Sequence, residues 1–195
     1  MIVTASMLID HSKDYGDPAG KIMRLRKEGK IVPLTRGLYE TDPNAPAQCL
    51  AGAIYGPSYL SFDYALSVYG LIPEAVYAYT SATFEKKKKK EDVNQFGRYL
   101  YRDVPSAAYP WGIKIMVEGE YSYLIASPEK ALCDKLYSMP PVASVKDIGL
   151  MLFDDLRIDE DEFSKLNAED ILQVGERYRC NNLKYLMKYL NRSDR

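Results

Sequence analysis

Basic side chains are the residues of this sequence whose type and spacing favour a particular chemistry, contact with phosphate. Between Gly20 and Tyr39 there are six basic residues and one acid, Glu28. The six are Lys21, Arg24, Arg26, Lys27, Lys30 and Arg36. At about 100° per residue on a helical wheel, Ile22 and Leu25 share one side while Lys21, Arg24 and Lys27 spread over the other. The segment predicts separate core and phosphate faces, with a solvated amphipathic helix as the alternative.

The run EKKKKKED holds the densest charge in the chain. Its five lysines are Lys86, Lys87, Lys88, Lys89 and Lys90, and acids flank them on both sides. Adjacent ammonium groups repel one another, which predicts a mobile hairpin loop between two strands. Lysine is a compact, non-directional charge, suited to phosphate contact and poor for base readout. We expect either a solvated loop or an auxiliary phosphate contact.

Acidic residues cluster at positions 154–162. They could be paired carboxylates for acid–base work or for Mg²⁺, but the spacing and glycine turn of an EF-hand loop are missing, and no nucleophile accompanies them. Acids at the start of a surface helix explain them more simply. Neither a phosphate-binding glycine loop nor a Gly-x-Ser-x-Gly elbow occurs in the sequence, so an enzyme is not expected. A Mg²⁺-dependent nucleic-acid-processing enzyme using these acids is the remaining catalytic alternative.

Metal chemistry is not expected either. Cys49, Cys133 and Cys180 lie far apart and form no Cys-x-x-Cys pair, and the single histidine, His11, has no second ligand nearby. We expect three buried, reduced thiols and no cofactor.

Composition limits how a polyanion could be bound. The chain has 195 residues, 47% of them hydrophobic, and a formal net charge of −1. Nucleic-acid affinity must therefore come from local patches and not from the overall field. The first ten residues have neither the basic start nor the apolar run of a signal peptide, and no later window approaches a membrane span. A cytoplasmic protein without a membrane partner is expected.

The N-terminal elements arrange the first basic patch. Asp17 is suited to cap a helix that Pro18 begins and Gly29 ends. Residues 31–34 and 38–41 are typical of two short strands joined by a tight turn, with Arg36 at its tip. A helix followed by a two-stranded wing results. Because only sixteen residues precede Asp17, the unit predicted over 1–43 is expected to be truncated or to be supplemented by the second domain.

The remaining chain, 44–195, predicts a larger second domain. Helices are expected over 45–55 and 62–69, and β-rich segments over 75–84, 93–104 and 112–126, the last a hairpin. Ser127 and Pro128 open another helix, and from Ser144 the pattern is helical to the end. There Leu183, Leu186, Met187 and Leu190 form one apolar face, expected to pack on the protein itself. The predicted class is α+β: a small winged helix-turn-helix, then a mixed α+β domain with an antiparallel sheet and a helical C-terminus.

Three segments in order resemble the AbiEi-type antitoxins. The first is MRLRKEGKIVPLTRGLY, residues 23–39, similar to the end of that family's winged helix-turn-helix. The second is YLSFDYALSVYGL, residues 59–71, and the third is ASPEKALCDKL, residues 126–136. Tyr64 and Tyr69 depart from the family, whose members often have small or histidine residues at these positions.

The resemblance implies a transcriptional regulator of a type IV toxin-antitoxin, or abortive-infection, system. Its N-terminal winged helix would bind operator DNA, and its C-terminal domain would counteract a nucleotidyltransferase-like toxin. The resemblance also implies that the family domain is built by Ser61, Tyr64, Ala65, Leu66, Gly70, Leu71, Pro128, Glu129, Leu132 and Asp134. The alternative is a protein-interaction module of the same fold that has lost sequence-specific DNA binding.

Overall fold

A computed structural model describes residues 1–11 and 17–193. The chain is of the α+β class, with a small N-terminal sheet and a larger six-stranded sheet. The N-terminal elements are β1 (Ile2–Thr4), α1 (Ala5–Asp10), α2 (Pro18–Lys27), β2 (Val32–Thr35) and β3 (Leu38–Glu40). Their strands form an antiparallel sheet in the order β1-β3-β2. Strand β1 was not predicted, because three residues are too few to show an alternating pattern.

Local capping explains where α2 begins and ends. The Asp17 carboxylate accepts a hydrogen bond of 2.9 Å from the Gly20 amide, so it caps α2 as the sequence predicts. The helix ends at Lys27, and Gly29 follows with a φ of 71°, a left-handed conformation that glycine adopts without strain. The β2–β3 turn is tied to α1, because the Ala5 amide donates to the Gly37 carbonyl at 2.8 Å.

The second sheet is mixed, so the predicted antiparallel sheet is wrong in part. Its strands are β4 (Tyr59–Leu60), β5 (Ala78–Thr83), β6 (Lys90–Asn94), β7 (Gly97–Asp103), β8 (Ile113–Glu118) and β9 (Tyr121–Ala126). The order is β6-β7-β5-β4-β9-β8, with the β7/β5 and β4/β9 pairs parallel. Both parallel pairs join strands that do not follow one another in the chain, whereas the consecutive pairs β4/β5, β6/β7 and β8/β9 are antiparallel. The predicted segment 93–104 is in fact a hairpin, β6–β7, whose first strand begins inside the lysine run.

We predicted that the lysine run forms a hairpin loop, and this prediction is wrong. It leads from β5 to β6, and β7 lies between those two strands. Defined contacts hold the chain there. The Lys87 amide donates to Asp103 Oδ2 at 2.7 Å, while Thr83 Oγ1 donates to Asp103 Oδ1 at 2.6 Å. One carboxylate from β7 thus fixes the path of the crossover, which repulsion between the lysines alone does not predict.

Helices cover both faces of this sheet. On one face, α3 (Ala47–Ile54) accepts hydrogen bonds at its Ala47 and Ala51 carbonyls from the Tyr99 and Tyr101 hydroxyls of β7. On the other face, α5 (Pro128–Tyr137) is reached by the hydroxyl of Tyr59. Helix α4 (Phe62–Val68) packs on α5. The buried apolar residues of these layers form one core.

The C-terminal third is a set of short helices and not one long one. They are α6 (Val145–Leu150), continued by a π-helical turn (Met151–Asp155), then α7 (Glu160–Ser164), α8 (Ala168–Gly175) and α9 (Asn181–Ser193). Asp159 and Asn167 cap α7 and α8 and so mark the breaks. The predicted apolar face of α9 is confirmed, since Leu183 and Leu186 are fully buried against the protein.

Candidate nucleic-acid interface

The predicted DNA-binding side chains lie on α2, on the loop that follows it and on the β2–β3 turn. Lys21, in the first half of α2, is half-buried. Arg24, Arg26 and Lys27 are exposed on α2, and Arg36 is exposed at the turn. The apolar side of the helix is made by Ile22 and Leu25, which are half-buried. Arg24 and Lys27, three residues apart, therefore lie on a different face of α2 from Ile22 and Leu25, as expected.

Lys30 differs from Arg24, Arg26, Lys27 and Arg36 in its surroundings. Its Nζ lies 2.8 Å from Glu28 Oε2, and both side chains are exposed. This single hydrogen bond, donated by Lys30, lowers the pKa of Glu28 and raises the pKa of Lys30. Glu28 therefore partly neutralises the positive charge of Lys30. The positive potential of the surface comes mainly from the four arginine and lysine side chains Arg24, Arg26, Lys27 and Arg36.

A cleft of about 450 Å³ adjoins this basic surface. Arg26 and Lys27 line one side of it, and Gln95 lines another. Gln95 belongs to the β6–β7 turn of the large sheet. Next to it, the Asn94 amide donates to the Leu34 carbonyl of β2 at 3.0 Å. The second domain thus contributes a polar side chain to the edge of the basic patch, and sequence analysis missed Gln95 because it is distant in the chain.

The lysine run divides into two groups. The ammonium of Lys90 lies 4.4 Å from the centre of the Tyr55 ring, and that of Lys86 lies 5.0 Å from the same centre. Lys86 also donates to the Gly56 carbonyl at 3.0 Å. These two lysines are held against α3 and the loop after it by cation–π contacts and a hydrogen bond.

The other three lysines border a second cleft. Lys87, Lys88 and Lys89 line a space of about 470 Å³ together with Arg102 and Tyr137. Arg102 is half-buried and lies 5.9 Å from the centre of the Phe62 ring. Arg102, on β7, was expected in the same basic region as the lysine run, whereas Tyr137 was not connected with it because it lies distant in the chain, at the end of α5.

Strand β6 connects the two basic regions. Its turn end contributes Gln95 beside α2, and its other end begins at Lys90. Five residues at about 3.4 Å per residue span about 14 Å. The structure therefore brings both predicted sets of cations to the two ends of one edge strand, without merging them into one site.

The third segment of the resemblance contains a buried charged pair. Lys130 Nζ lies 3.0 Å from Asp134 Oδ1, and neither side chain is exposed to solvent. Tyr59 and Ser61 donate to Asp134 Oδ2 at 3.0 and 2.6 Å, and Tyr178 donates to Oδ1. Lys130 also donates to the Ala108 carbonyl at 3.0 Å. From the sequence, Asp134 was expected to be part of the domain scaffold, and Lys130 was not singled out.

The hydroxyls around this pair are held in the neutral form. Burial raises the pKa of Tyr59 and of Tyr178 well above the ordinary value, and the negative charge of Asp134 raises both further. Neutral hydroxyls donate hydrogen bonds to the carboxylate and complete its shell. The cluster is buried, and it joins β4, α5 and the turn between α8 and α9.

The other candidate residues have structural positions. Asp159 accepts a hydrogen bond of 2.9 Å from the Glu162 amide, and the next three residues form the acidic first turn of α7, as predicted. Cys49 and Cys133 are buried, whereas Cys180 is only half-buried, so three buried thiols are not observed. Burial raises the pKa of Cys49 to about 11. Within residues 1–11 and 17–193, no group of three or more His, Cys, Asp or Glu is arranged to hold a metal ion.

Among the helices that the structure describes, none combines the length and apolar character needed to cross a membrane.

Comparison with known proteins gives a fold and no family. No protein-family model matches the sequence, and no curated protein matches it. The chain is similar to a solved structure, the RV2827C protein from Mycobacterium tuberculosis, with a TM-score of 0.54 and 14% identity. That similarity covers 97% of this chain and 72% of the other. At this identity the likeness concerns the α+β fold alone.

Proposed function

We propose that this protein is a DNA-binding transcriptional regulator that represses its own operon and acts as the antitoxin of a type IV toxin-antitoxin system. The observation that carries the DNA-binding part is the exposed basic surface formed by Arg24, Arg26, Lys27 and Arg36 on one helix and one turn. The antitoxin part rests on the three segments that resemble AbiEi-type proteins. Its partner would be a nucleotidyltransferase-like toxin.

In this proposal the N-terminal unit is a short winged helix-turn-helix. Helix α1 contacts α2, and α2 is the helix offered to the major groove. Arginine on such a helix can donate two parallel hydrogen bonds to guanine. Arg36, at the tip of the β2–β3 turn, would contact the backbone or the minor groove. Lys21 and Lys30 would add phosphate contacts at the two ends of the patch.

The lysine run has an auxiliary role in the proposal. Lys87, Lys88 and Lys89 are exposed at the far end of β6 from the N-terminal unit. If the duplex extends along β6, these lysines add phosphate contacts that weaken with salt and do not select sequence. Replacing them with serine would then lower affinity for all sequences equally and leave operator choice intact.

A gel-shift series with the DNA upstream of the gene tests the DNA-binding surface. The triple variant Arg24→Ala/Lys27→Ala/Arg36→Ala should lose sequence-selective retardation, because three phosphate or base contacts are removed together. The wild-type protein should show an affinity that falls steeply as salt is raised. Each variant is first checked for an unchanged thermal unfolding midpoint.

The matched control removes three cations elsewhere. Lys146, Lys184 and Lys188 are exposed on α6 and α9, and their triple alanine variant changes the net charge by the same amount. It should retain binding. Retention of binding by the α2 and turn variant would refute the assigned surface. Absence of selective retardation by the wild type would favour the protein-interaction module without DNA binding.

Co-expression tests the antitoxin part separately. A nucleotidyltransferase-like protein encoded next to this gene should arrest growth alone, and co-expression of this protein should restore growth. The DNA-binding variant should still restore growth if the second domain counteracts the toxin. Failure of the wild type to restore growth would remove the antitoxin role and leave the regulator role untouched.

A further inference from the structure

The two edges of the six-stranded sheet differ in character. Edge strand β6 begins with Lys90, Glu91 and Asp92, and charges of this kind discourage pairing with another strand. Edge strand β8 is apolar in its middle, where Ile115, Met116 and Val117 are 72%, 41% and 74% exposed. It pairs with β9 on one side, and no strand in the described part of the chain pairs with its other side. An exposed apolar edge is typical of an interface.

We propose that β8 pairs with β8 of a second copy of this chain, antiparallel, about a two-fold axis at Met116. This inference goes beyond the proposed function and does not depend on it. The two sheets become continuous across the axis, and each copy presents the same surface to the other, as a closed dimer requires.

Strand geometry limits the possible registers. Along a strand, the amide and carbonyl of every second residue point toward the same edge. In an antiparallel pair, two directly opposed residues must both direct their amide and carbonyl groups toward the partner strand, or both direct them away from it. The two-fold axis must therefore lie midway between one residue and the same residue of the second copy, directly opposite it. A register centred between two successive residues is excluded. Within the middle of β8 the choices are Ile115, Met116 and Val117.

Charge selects among these three registers. With the axis at Met116, Lys114 lies opposite Glu118 of the partner subunit, and the symmetric pair forms as well. With the axis at Ile115, Lys114 faces a methionine, and with the axis at Val117, Glu118 faces one. Opposite charges on directly opposed residues stabilise a strand pair, so the Met116 register is favoured.

The apolar residues agree with the same register. Ile115 lies opposite Val117 of the partner subunit, and both point to the face away from Lys114 and Glu118 because neighbouring side chains alternate. Leu124, opposite Ile115 on β9, is 41% exposed and extends the apolar face within one copy. On the opposite face, within each copy, Gln48 of α3 donates a hydrogen bond to Glu118 and so holds its carboxylate in place.

Self-association measured by sedimentation tests the pairing without any DNA. The wild type should form a dimer as concentration is raised. Lys114→Glu or Glu118→Lys alone should weaken the dimer by about tenfold or more, because each places like charges opposite one another twice. The double variant Lys114→Glu/Glu118→Lys should regain most of the affinity. A wild type that stays monomeric at every soluble concentration would overturn the proposal.

Cysteine cross-linking tests the register, with Cys180→Ser as the common background. Met116→Cys should form a disulfide-linked dimer on mild oxidation. Ile115→Cys alone should not, since diagonal residues lie about 7–8 Å apart and disulfides need closer Cα atoms. A mixture of Ile115→Cys and Val117→Cys proteins should cross-link. The background protein should remain uncross-linked.

Other results identify other occupants of the edge. Efficient cross-linking of Ile115→Cys alone, with none for Met116→Cys, would refute the Met116 register. A dimer that ignores both charge reversals would place the contact on another surface. If the edge is covered only when a strand of a different protein is added, no variant will cross-link by itself, and self-pairing is wrong.

Discussion

Lys130 and Asp134 are the residues whose environment differs most from that of ordinary charged side chains. Both are fully buried, one helical turn apart on α5. A buried ion pair is tolerated only when hydrogen bonds satisfy its remaining donors and acceptors. Here a carbonyl and three hydroxyls do so, from β4 and the residue after it, the loop before β8 and the turn after α8. The pair therefore links segments that are distant in sequence.

Removing the cation alone should destabilise the protein strongly. Lys130→Met leaves the Asp134 carboxylate buried without a counter-charge, which costs about 3–5 kcal/mol of unfolding free energy. The double variant Lys130→Met/Asp134→Asn removes both charges and should be more stable than the single variant. Urea unfolding followed by circular dichroism measures both.

Lys165 offers a control for loss of a lysine in general. Its pair with Glu162 is exposed on α7, so Lys165→Met should change stability little. If Lys130→Met were no more destabilising than Lys165→Met, the buried pair would not have the structural role given to it.

At the scale of elements, the turn at Gly112, just before β8, packs directly against the start of α5. Gly112 precedes β8 with a φ of 63°, and its carbonyl accepts a hydrogen bond of 2.7 Å from the Ser127 amide. A Cβ at this position would lie 2.8 Å from the Lys130 Cβ. Ser127 also caps α5. The start of the edge strand and the start of α5 are thus packed directly together.

Two glycine substitutions separate backbone strain from crowding. Gly70 also has a positive φ, 71°, but a Cβ there would have no neighbour within 4 Å. Gly70→Ala should cost about 1 kcal/mol from strain alone. Gly112→Ala should cost clearly more, because the added methyl also meets Lys130. Equal losses of unfolding free energy would show that the turn can move away from α5.

At the scale of the whole molecule, the two sheets share one core. Leu34 belongs to β2 of the N-terminal sheet, yet its side chain is 2% exposed and joins the same core as the second domain. The Tyr121 hydroxyl of β9 lies 3.2 Å from the Glu40 carboxylate of β3. The boundary at residues 43 and 44 is therefore a packed junction.

A core substitution in the N-terminal unit should also lower the stability of the second domain. Leu34→Ala should lower the unfolding free energy by about 2–5 kcal/mol, as for a buried leucine. The transition monitored by Trp111, in the second domain, should shift to lower urea. Met23→Ala is the control, since Met23 is 71% exposed in the same unit. An unshifted Trp111 signal for Leu34→Ala would mean that the two units unfold independently.

The sequence was informative where structure is local. Asp17, Gly29 and Ser127 marked helix ends, because capping depends on residues a few positions apart. Exposure of Arg24 and Lys27 on α2 followed from helical spacing. The sequence did not indicate which strands are neighbours, because strand pairing is decided by contacts between distant segments. For that reason the lysine run was assigned to a hairpin, and β4, with two residues at the centre of the sheet, was missed.

The sequence by itself determined the α+β class, most helix starts and the location of the basic patch, since these depend on composition and short-range spacing. Only the tertiary structure decided that the sheet is mixed, that Gln95 adjoins the basic patch, that Lys130 is buried with Asp134, and that β8 is an apolar edge. Each of these features depends on which distant segments pack together, and the free energy of that packing is a property of the whole core.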